Sequence, residues 1–432
     1  MTERITVLPS ARRLMDSLRD IGYDLPAAVA DLVDNSIDAG ASTVDVTIAS
    51  QGPDSWVRVA DNGFGMTPPG LDEAMRYGSV SAYSDRALGH FGLGLKTGSL
   101  SQCRRLTVVS RRGPRGRLAA RRWDLDDIAQ LDAWELEAPA AGELSHQALH
   151  PLRGRGGTVV LWEKLDRVLA FRNPAGAPAA KALDGLARDV RAHLSMVFHR
   201  FLSGEWADGE ARVEVTVNGE TLHPWDPFVR SEPRTRVLPR QLIGLPVSDG
   251  PTVQMEVRPY VLPSQTHFSS ASAHQDAAGP NRWNRQQGLY IYRRQRLIQS
   301  GGWNRLRTLD EHAKLARIAV DLPISHEELF GINVSKMSVS LPEAARPPLR
   351  TIASAVVQEA QRSYREHLHQ AVPPAPSIRV PDHPEDPPQD QMGEGPSIAG
   401  DWPLILRSVT DALSDDPRAR DRVLLSLANA VG

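Results

Sequence analysis

Leu14, Leu18 and Ile21 recur at helical spacing behind Ser10, a residue type that caps helices, so a helix is expected from Ser10 to about Tyr23. Residues 3–9 ahead of it read as a short strand or arm. Pro26 suits the first turn of a second helix, expected over Ala27 to Ala39 and ended by Gly40. STVDVTIAS and SWVRVADNG alternate apolar and polar positions, which predicts two strands. The Gly-, Ser- and Pro-rich stretch from Met66 to Gly89 exceeds a simple connection and is a candidate lid. A helix is expected from Leu95, then strands at Leu106 to Ser110, Leu118 to Trp123 and Gly157 to Trp162. This order of helices and mainly antiparallel strands predicts an α+β protein whose first domain, residues 1–172, is a two-layer α/β sandwich.

NPAGAPA at 173–179 punctuates the chain before a helix with Leu183, Leu186, Val190, Leu194, Val197 and Phe201 on one face. That helix is expected to open a second domain, residues 173–370, with strands in ARVEVTVNG, PTVQMEVRPYVL, GLYIYRRQRLI and ARIAVDLP. A helix from Pro347 to about His369 closes it, and the polar segment 264–287 reads as a mobile loop. Residues 371–400 hold eight prolines and many acids, the composition of an extended linker. Residues 401–432 have the pattern of two short amphipathic helices.

Composition narrows the setting. No stretch approaches the roughly 18 to 20 apolar residues of a membrane span, and the start lacks the apolar segment of a secretory signal. Cys103 is the only cysteine, so no internal disulfide forms and a reducing, cytoplasmic location is expected. A net charge of −2 gives the whole protein no pull toward nucleic acid. The chain has 5 lysines against 45 arginines, which makes each lysine informative.

Three segments carry candidate chemistry. In AVADLVDNSIDAGA, helical spacing places Asp31, Asp34, Asn35 and Asp38 within an arc of about 100°. Crowded acids are relieved by a divalent cation, and magnesium with phosphate oxygens fits hard oxygen ligands; a solvated polar face is the blander alternative. VADNGFGMT ends a strand at Asp61, whose carboxylate can accept from an exocyclic amine, with Gly63 and Gly65 allowing close approach of a flat ring; it is also an ordinary turn. GHFGLGLKTGSLS runs Gly89, Gly92 and Gly94 into a helix start, with Lys96 and Thr97 adding donors, the makings of an anion site. A glycine-rich loop alone is a weak signal.

Together and in this order, DNSIDAG, DNGFGM and GHFGLGLKTGS resemble the three nucleotide motifs of the gyrase, heat-shock chaperone, histidine kinase and MutL (GHKL) ATPases. RGRGGTVVLWEKL resembles the fourth, through Gly157 and Thr158, and the FGLGLK wording is similar to MORC-type ATPases and bacterial relatives. The resemblance implies a Bergerat-type fold that binds ATP and Mg2+, with Asn35 on the metal and Asp61 on the adenine amino group. It implies further that Gly63, Gly65, Met66, Leu93, Leu95 and Asp38 contribute to the nucleotide site, and that Thr158 supports Asp61 through water. Gly89 to Lys96 would close over the phosphates. Where the family has a glutamate that activates water, this chain has Asp31, whose carboxylate is set back by one methylene, roughly 1.5 Å. In-line attack is sensitive to such misplacement, so a slow ATPase is expected.

The second domain resembles the transducer of MutL, gyrase B and MORC proteins, of ribosomal-protein-like β-α-β type, and GINVSKMSVSLP resembles the loop that sends a lysine to the γ-phosphate, here Lys336. A histidine kinase needs an acceptor domain before the asparagine motif, which about 30 residues do not supply, and an effector region is not evident after the transducer. The expectation is therefore a MORC- or MutL-like switch that forms an ATP-dependent homodimer and drives an effector protein encoded nearby or a process on DNA. Bacterial relatives of this type are associated with restriction-like or antiphage gene sets. The alternatives are a nucleotide-sensing module with little turnover and a chaperone-like clamp. Arg104, Arg105, Arg111, Arg112, Arg115, Arg117, Arg121 and Arg122 form a basic hairpin that fits a phosphate backbone or a solvated surface equally, and Arg293, Arg294 and Arg296 read the same way.

Overall fold

A computed structural model describes residues 9–20, 23–78, 94–205, 212–247, 250–324, 326–331 and 339–371. The arm at 3–8, Gly89, Gly92, Leu93, Lys336, the acidic linker from 372 and the segment 401–432 lie outside the described residues. Met1–Val372 cluster as one compact unit.

The protein is a mixed α/β structure built on two sheets. Helix α1 (Ala11–Arg19) starts where the Ser10 side chain accepts from the Arg13 N–H. Helix α2 (Leu25–Asp38) is capped by Asp24, which accepts from the Ala27 N–H, and carries Pro26 in its first turn, where no amide is missed. Its residues from Ala27 to Asp34 are all buried, so α2 is a central helix with layers on several sides.

Strands β1 (Thr43–Ala49) and β2 (Trp56–Asp61) pair antiparallel, and β1 alternates buried and half-buried positions along its length. The stretch expected as a lid holds a helix, α3 (Pro68–Met75): the Thr67 hydroxyl caps it, Pro68 and Pro69 preset its first turn, and Leu71 and Met75, one turn apart, are buried. Helix α4 (Gly94–Leu100) precedes β3 (Arg105–Arg111), β4 (Leu118–Asp124), α5 (Leu125–Leu131) and β5 (Gly157–Glu163). Helix α6 (Ala177–Val197) follows.

The strand in ARVEVTVNG, expected in the second domain, belongs to the first sheet. As β6 (Glu214–Val217) it pairs parallel with β1, and β7 (Glu220–Thr221) follows it, giving a seven-stranded order β4-β3-β5-β2-β1-β6-β7. Val215 and Val217 enter the same core as α2 and α6, so the first sheet and its core continue past residue 172.

The second sheet has the order β12-β11-β13-β10-β8, from β8 (Arg236–Val237), β9 (Gln241–Leu245), which also pairs with β10, β10 (Val253–Val261), β11 (Gly288–Arg293), β12 (Arg296–Ser300) and β13 (Ala316–Asp321). One face is covered by α7 (Arg346–Ala371) through Leu349, Ile352, Ala353, Val356 and Val357, at helical spacing. The other sends Tyr260, Tyr290, Tyr292, Leu297 and Ala319 into the core of the first sheet. Shared burial of this kind fixes β11 and β12 against α6. The segment 264–287, expected as a mobile loop, contains helical turns tied down by Trp225 Nε1 on the Asp276 carbonyl (2.9 Å) and Arg317 on the Ala277 carbonyl (2.7 Å).

Candidate functional site

Helix α2 is the spine of the site. At its C-terminal end, β2 delivers Asp61, which is buried and accepts from the Gly63 N–H (2.9 Å), the Thr158 N–H (3.1 Å) and, more loosely, the Ser36 hydroxyl (3.3 Å). These three bonds favour the ionised carboxylate, yet burial outweighs them and pushes Asp61 up to about 6 from the usual 3.8. The Ser110 and Thr158 hydroxyls lie 2.9 Å apart, and Ser110 accepts from the Met66 N–H at 2.8 Å, which ties the glycine turn after β2 to β3 and β5.

The glycines of this turn, and Gly157 opposite it, are required by the protein's own packing. Gly65 and Gly157 have φ of +66° and +134°, and a Cβ on either would overlap a carbonyl oxygen, that of Arg111 or of Asp61. At Gly63 a Cβ would meet the Ala39 carbonyl. The missing side chains let β2, β3, β5 and the end of α2 close on one another.

Five residues earlier on α2, roughly 7.5 Å along its axis, lies buried Asp31. Gly94, the first residue of α4, is so close that a Cβ there would sit 3.0 Å from Asp31 Oδ2. The fold therefore places Gly94 of the third motif and the aspartate of the first side by side. Asn35, between Asp31 and Ser36, is exposed, and Asp38, the last residue of α2, is half-buried. Leu95 is half-buried against the core.

Lys96 and Thr97 are turned inward. The Lys96 ammonium donates to the Ala74 carbonyl at 2.9 Å and lies 5.7 Å from the Tyr77 ring, and burial pulls it down to about 8 from 10.5. It thus ties α4 to the end of α3, across the ends of the segment 79–93. The buried Thr97 hydroxyl has no hydrogen-bond partner among the described residues.

Three participants were not singled out from sequence, and a fourth, Arg296, was named only as one of a group of basic residues. Tyr23 donates its hydroxyl to Asp31 Oδ2 at 3.0 Å, and burial beside that carboxylate raises the phenol well above its usual range. Arg296, which reads as a surface arginine, is buried, with Nε 2.7 Å from Asp34 Oδ2 and Nη2 3.9 Å from Asp31 Oδ1. No local pattern pairs residues 34 and 296, because the contact is created by packing of the second sheet. Ser36 and Ser110 are the others; Ser36 adjoins Asn35 within the motif itself, a signal that sequence reading had available.

Half of the basic hairpin is paired with acids. Arg104, Arg105, Arg121 and Arg122 face Asp126, Asp124, Asp72 and Glu137, and Arg111 donates to the Leu152 carbonyl. Arg112, Arg115 and Arg117 at the turn are exposed. Cys103 is fully buried, its thiol pushed up by burial, which makes it a core residue. Among the described residues no group of three or more His, Cys, Asp or Glu is placed to hold a metal, and no helix is long and apolar enough to cross a membrane.

Comparison with known proteins agrees with this arrangement. A family described as "Histidine kinase-, DNA gyrase B-, and HSP90-like ATPase" matches residues 23–155, which span α2, the Asp61 turn and α4. The DNA mismatch repair protein MutL of Paramagnetospirillum magneticum is 33% identical over 178 residues, 40% of this chain and 26% of that protein. MutL of Halobacterium salinarum is 36% identical over 129 residues, covering 28% and 19%, and MutL of Agrobacterium fabrum 38% over 90 residues, covering 20% and 14%. The chain thus spans about a quarter or less of the length of these relatives. Residues 23–155, whose motifs and geometry meet along α2, are thus similar to the histidine kinase-, DNA gyrase B- and HSP90-like (GHKL) ATPases, and the chain is MutL-like in sequence there.

Proposed function

We propose that the protein is a slow, magnesium-dependent ATPase that works as a nucleotide-controlled switch. The observation that carries this is the single helix α2 bearing, at one end, the buried Asp61–Ser36–Thr158 cluster and, one and a half turns away, Asp31 against Gly94. That spacing suits a nucleotide with its base at Asp61 and its phosphates near Asp31. Asp61 accepts from the adenine amino group and Thr158 supports it through water. Asn35, exposed beside the phosphate end, offers its amide oxygen to magnesium, which keeps most of its ligands from phosphate and water. When bound, the ion neutralises phosphate charge. The Thr97 hydroxyl, without a hydrogen-bond partner among the described residues, fits an accepting group. Gly89 to Lys96 cover the phosphates, with Lys96 serving only after it leaves Ala74, and Lys336 reaches the γ-phosphate as part of a transducer-type second domain.

Asp31 is the proposed base for the attacking water. Purified protein that binds ATP yet releases no phosphate above an Asn35→Ala control sinks the ATPase assignment. Asp31→Asn is expected to abolish turnover and preserve ATP-driven dimerisation, and Lys336→Ala to lose turnover with nucleotide binding intact. A cytoplasmic homodimer acting on an effector encoded nearby, on DNA or in a MORC-like antiphage system extends the same reading. DNA binding draws its support from the MutL relatives and the exposed Arg112, Arg115 and Arg117; affinity that is insensitive to salt, or to neutralising those three, refutes it.

A nucleotide-sensing module with little turnover is the second reading. The hydrogen bond from Tyr23 to Asp31 Oδ2 favours it, since it occupies one oxygen of the carboxylate that would activate water.

A further inference from the structure

Arg296 is the first residue of β12, directly after a two-residue turn. Both turn residues, Arg294 and Gln295, have positive φ, +48° and +70°, the geometry of a tight type I′ turn made without Asn or Gly. Side chains other than Gly, Asn and Asp resist that conformation. The strain persists because the turn is held from outside: Arg200 donates to Gln295 Oε1 at 2.8 Å, pairs with Asp321 and stacks at 3.5 Å over the Tyr292 ring. Strain kept in place by surrounding contacts accompanies sites where one side chain must be aimed.

The aim is at α2. Arg296 crosses from the second sheet to Asp34, whose side chain is fully buried, and its Nη2 comes 3.9 Å from the other carboxylate on that face, Asp31. Asp31 and Asp34 are three residues apart, one above the other, so one guanidinium addresses both. Tyr23 holds the opposite oxygen of Asp31. A cleft of about 490 Å³ between α2, α6 and β12 borders Arg296, leaving room for the hairpin to shift against the helix.

We propose that Arg296 is a positioning residue: from the second sheet it sets the reach of the Asp31 carboxylate toward the nucleotide, so that docking of the β11–β12 hairpin on α2 governs turnover. The inference rests on the ATPase reading above. It also answers the short side chain of Asp31, since a guanidinium anchoring Asp34 fixes the helix turn from which Asp31 projects.

The test is steady-state phosphate release and ATP affinity for the full chain and variants. Arg296→Ala is expected to lower kcat about 10- to 100-fold, the scale of an ångström misplacement, with KM and nucleotide Kd within about twofold, and Arg296→Lys to recover part of the loss. Because Arg296→Ala takes a guanidinium away from buried Asp34 and so threatens folding, the double variant Asp34→Leu/Arg296→Met, which removes both charges together, should fold, bind ATP and show the same loss. Unchanged kcat in a folded Arg296 variant overturns the proposal while leaving the ATPase reading intact. Wild-type protein without turnover overturns both.

Discussion

The buried Asp61 carboxylate ties nucleotide binding to pH in a direction that can be worked out. Its rise from 3.8 to about 6 is caused first by burial, and corresponds to roughly 3 kcal/mol against the ionised form at about 1.4 kcal/mol per pH unit. Between those two values the folded protein holds a proton that the unfolded chain has released. Stability from this group therefore grows as pH falls from about 6 toward 4 and is lost as pH rises back through 6. At pH 7.5 Asp61 is ionised and the full penalty applies. Asp61→Asn removes it while an amide oxygen still accepts from Gly63 and Thr158. We expect the variant to be more stable by about 2 kcal/mol, a rise in Tm of roughly 3 °C at about 2 cal/mol/K per residue.

Binding moves the other way. In the proposed reading, where Asp61 accepts from the adenine amino group, the ionised acceptor is needed, so ATP affinity should fall as pH drops below about 6, by up to about tenfold per pH unit. Titration calorimetry between pH 5 and 8 on wild type and Asp61→Asn isolates the effect, because titration of the phosphates is common to both. Parallel affinity profiles, or an Asp61→Asn protein that is less stable at pH 7.5 yet binds ATP normally, would refute the reasoning.

Other consequences follow from the same geometry. Lys96 is lowered to about 8, so the unfolded chain holds its proton longer; stability should rise as pH climbs from about 8 toward 10, and Lys96→Met should flatten that rise in a thermal melt. Asp34→Ala leaves Arg296 charged and buried and should destabilise by about 3–5 kcal/mol, visible in urea unfolding; a loss below about 1 kcal/mol would show that the pair is not desolvated. Gly157→Ala, with its Cβ on the Asp61 carbonyl at a positive φ, should prevent folding or cost more than about 3 kcal/mol. Cys103 should resist a thiol reagent until the protein is unfolded.

Much of this protein is written locally. Asp24 with Pro26 starts α2, alternation sets β1, and the order of three short motifs within a stretch of the chain marks the nucleotide site, because capping, period and turn chemistry act between near neighbours. The helix α3 was also legible in Thr67-Pro68-Pro69. What sequence left open is the long-range part. That β6 joins the first sheet, that Lys96 turns to Ala74 instead of outward, and that Arg296 is a buried partner of Asp34 all depend on which surfaces meet after folding. An arginine two positions from another looks the same in sequence whether it faces water or a carboxylate 262 residues away. The residues of the site are thus set by sequence, while their protonation, their reach and their link to the second sheet are set by burial.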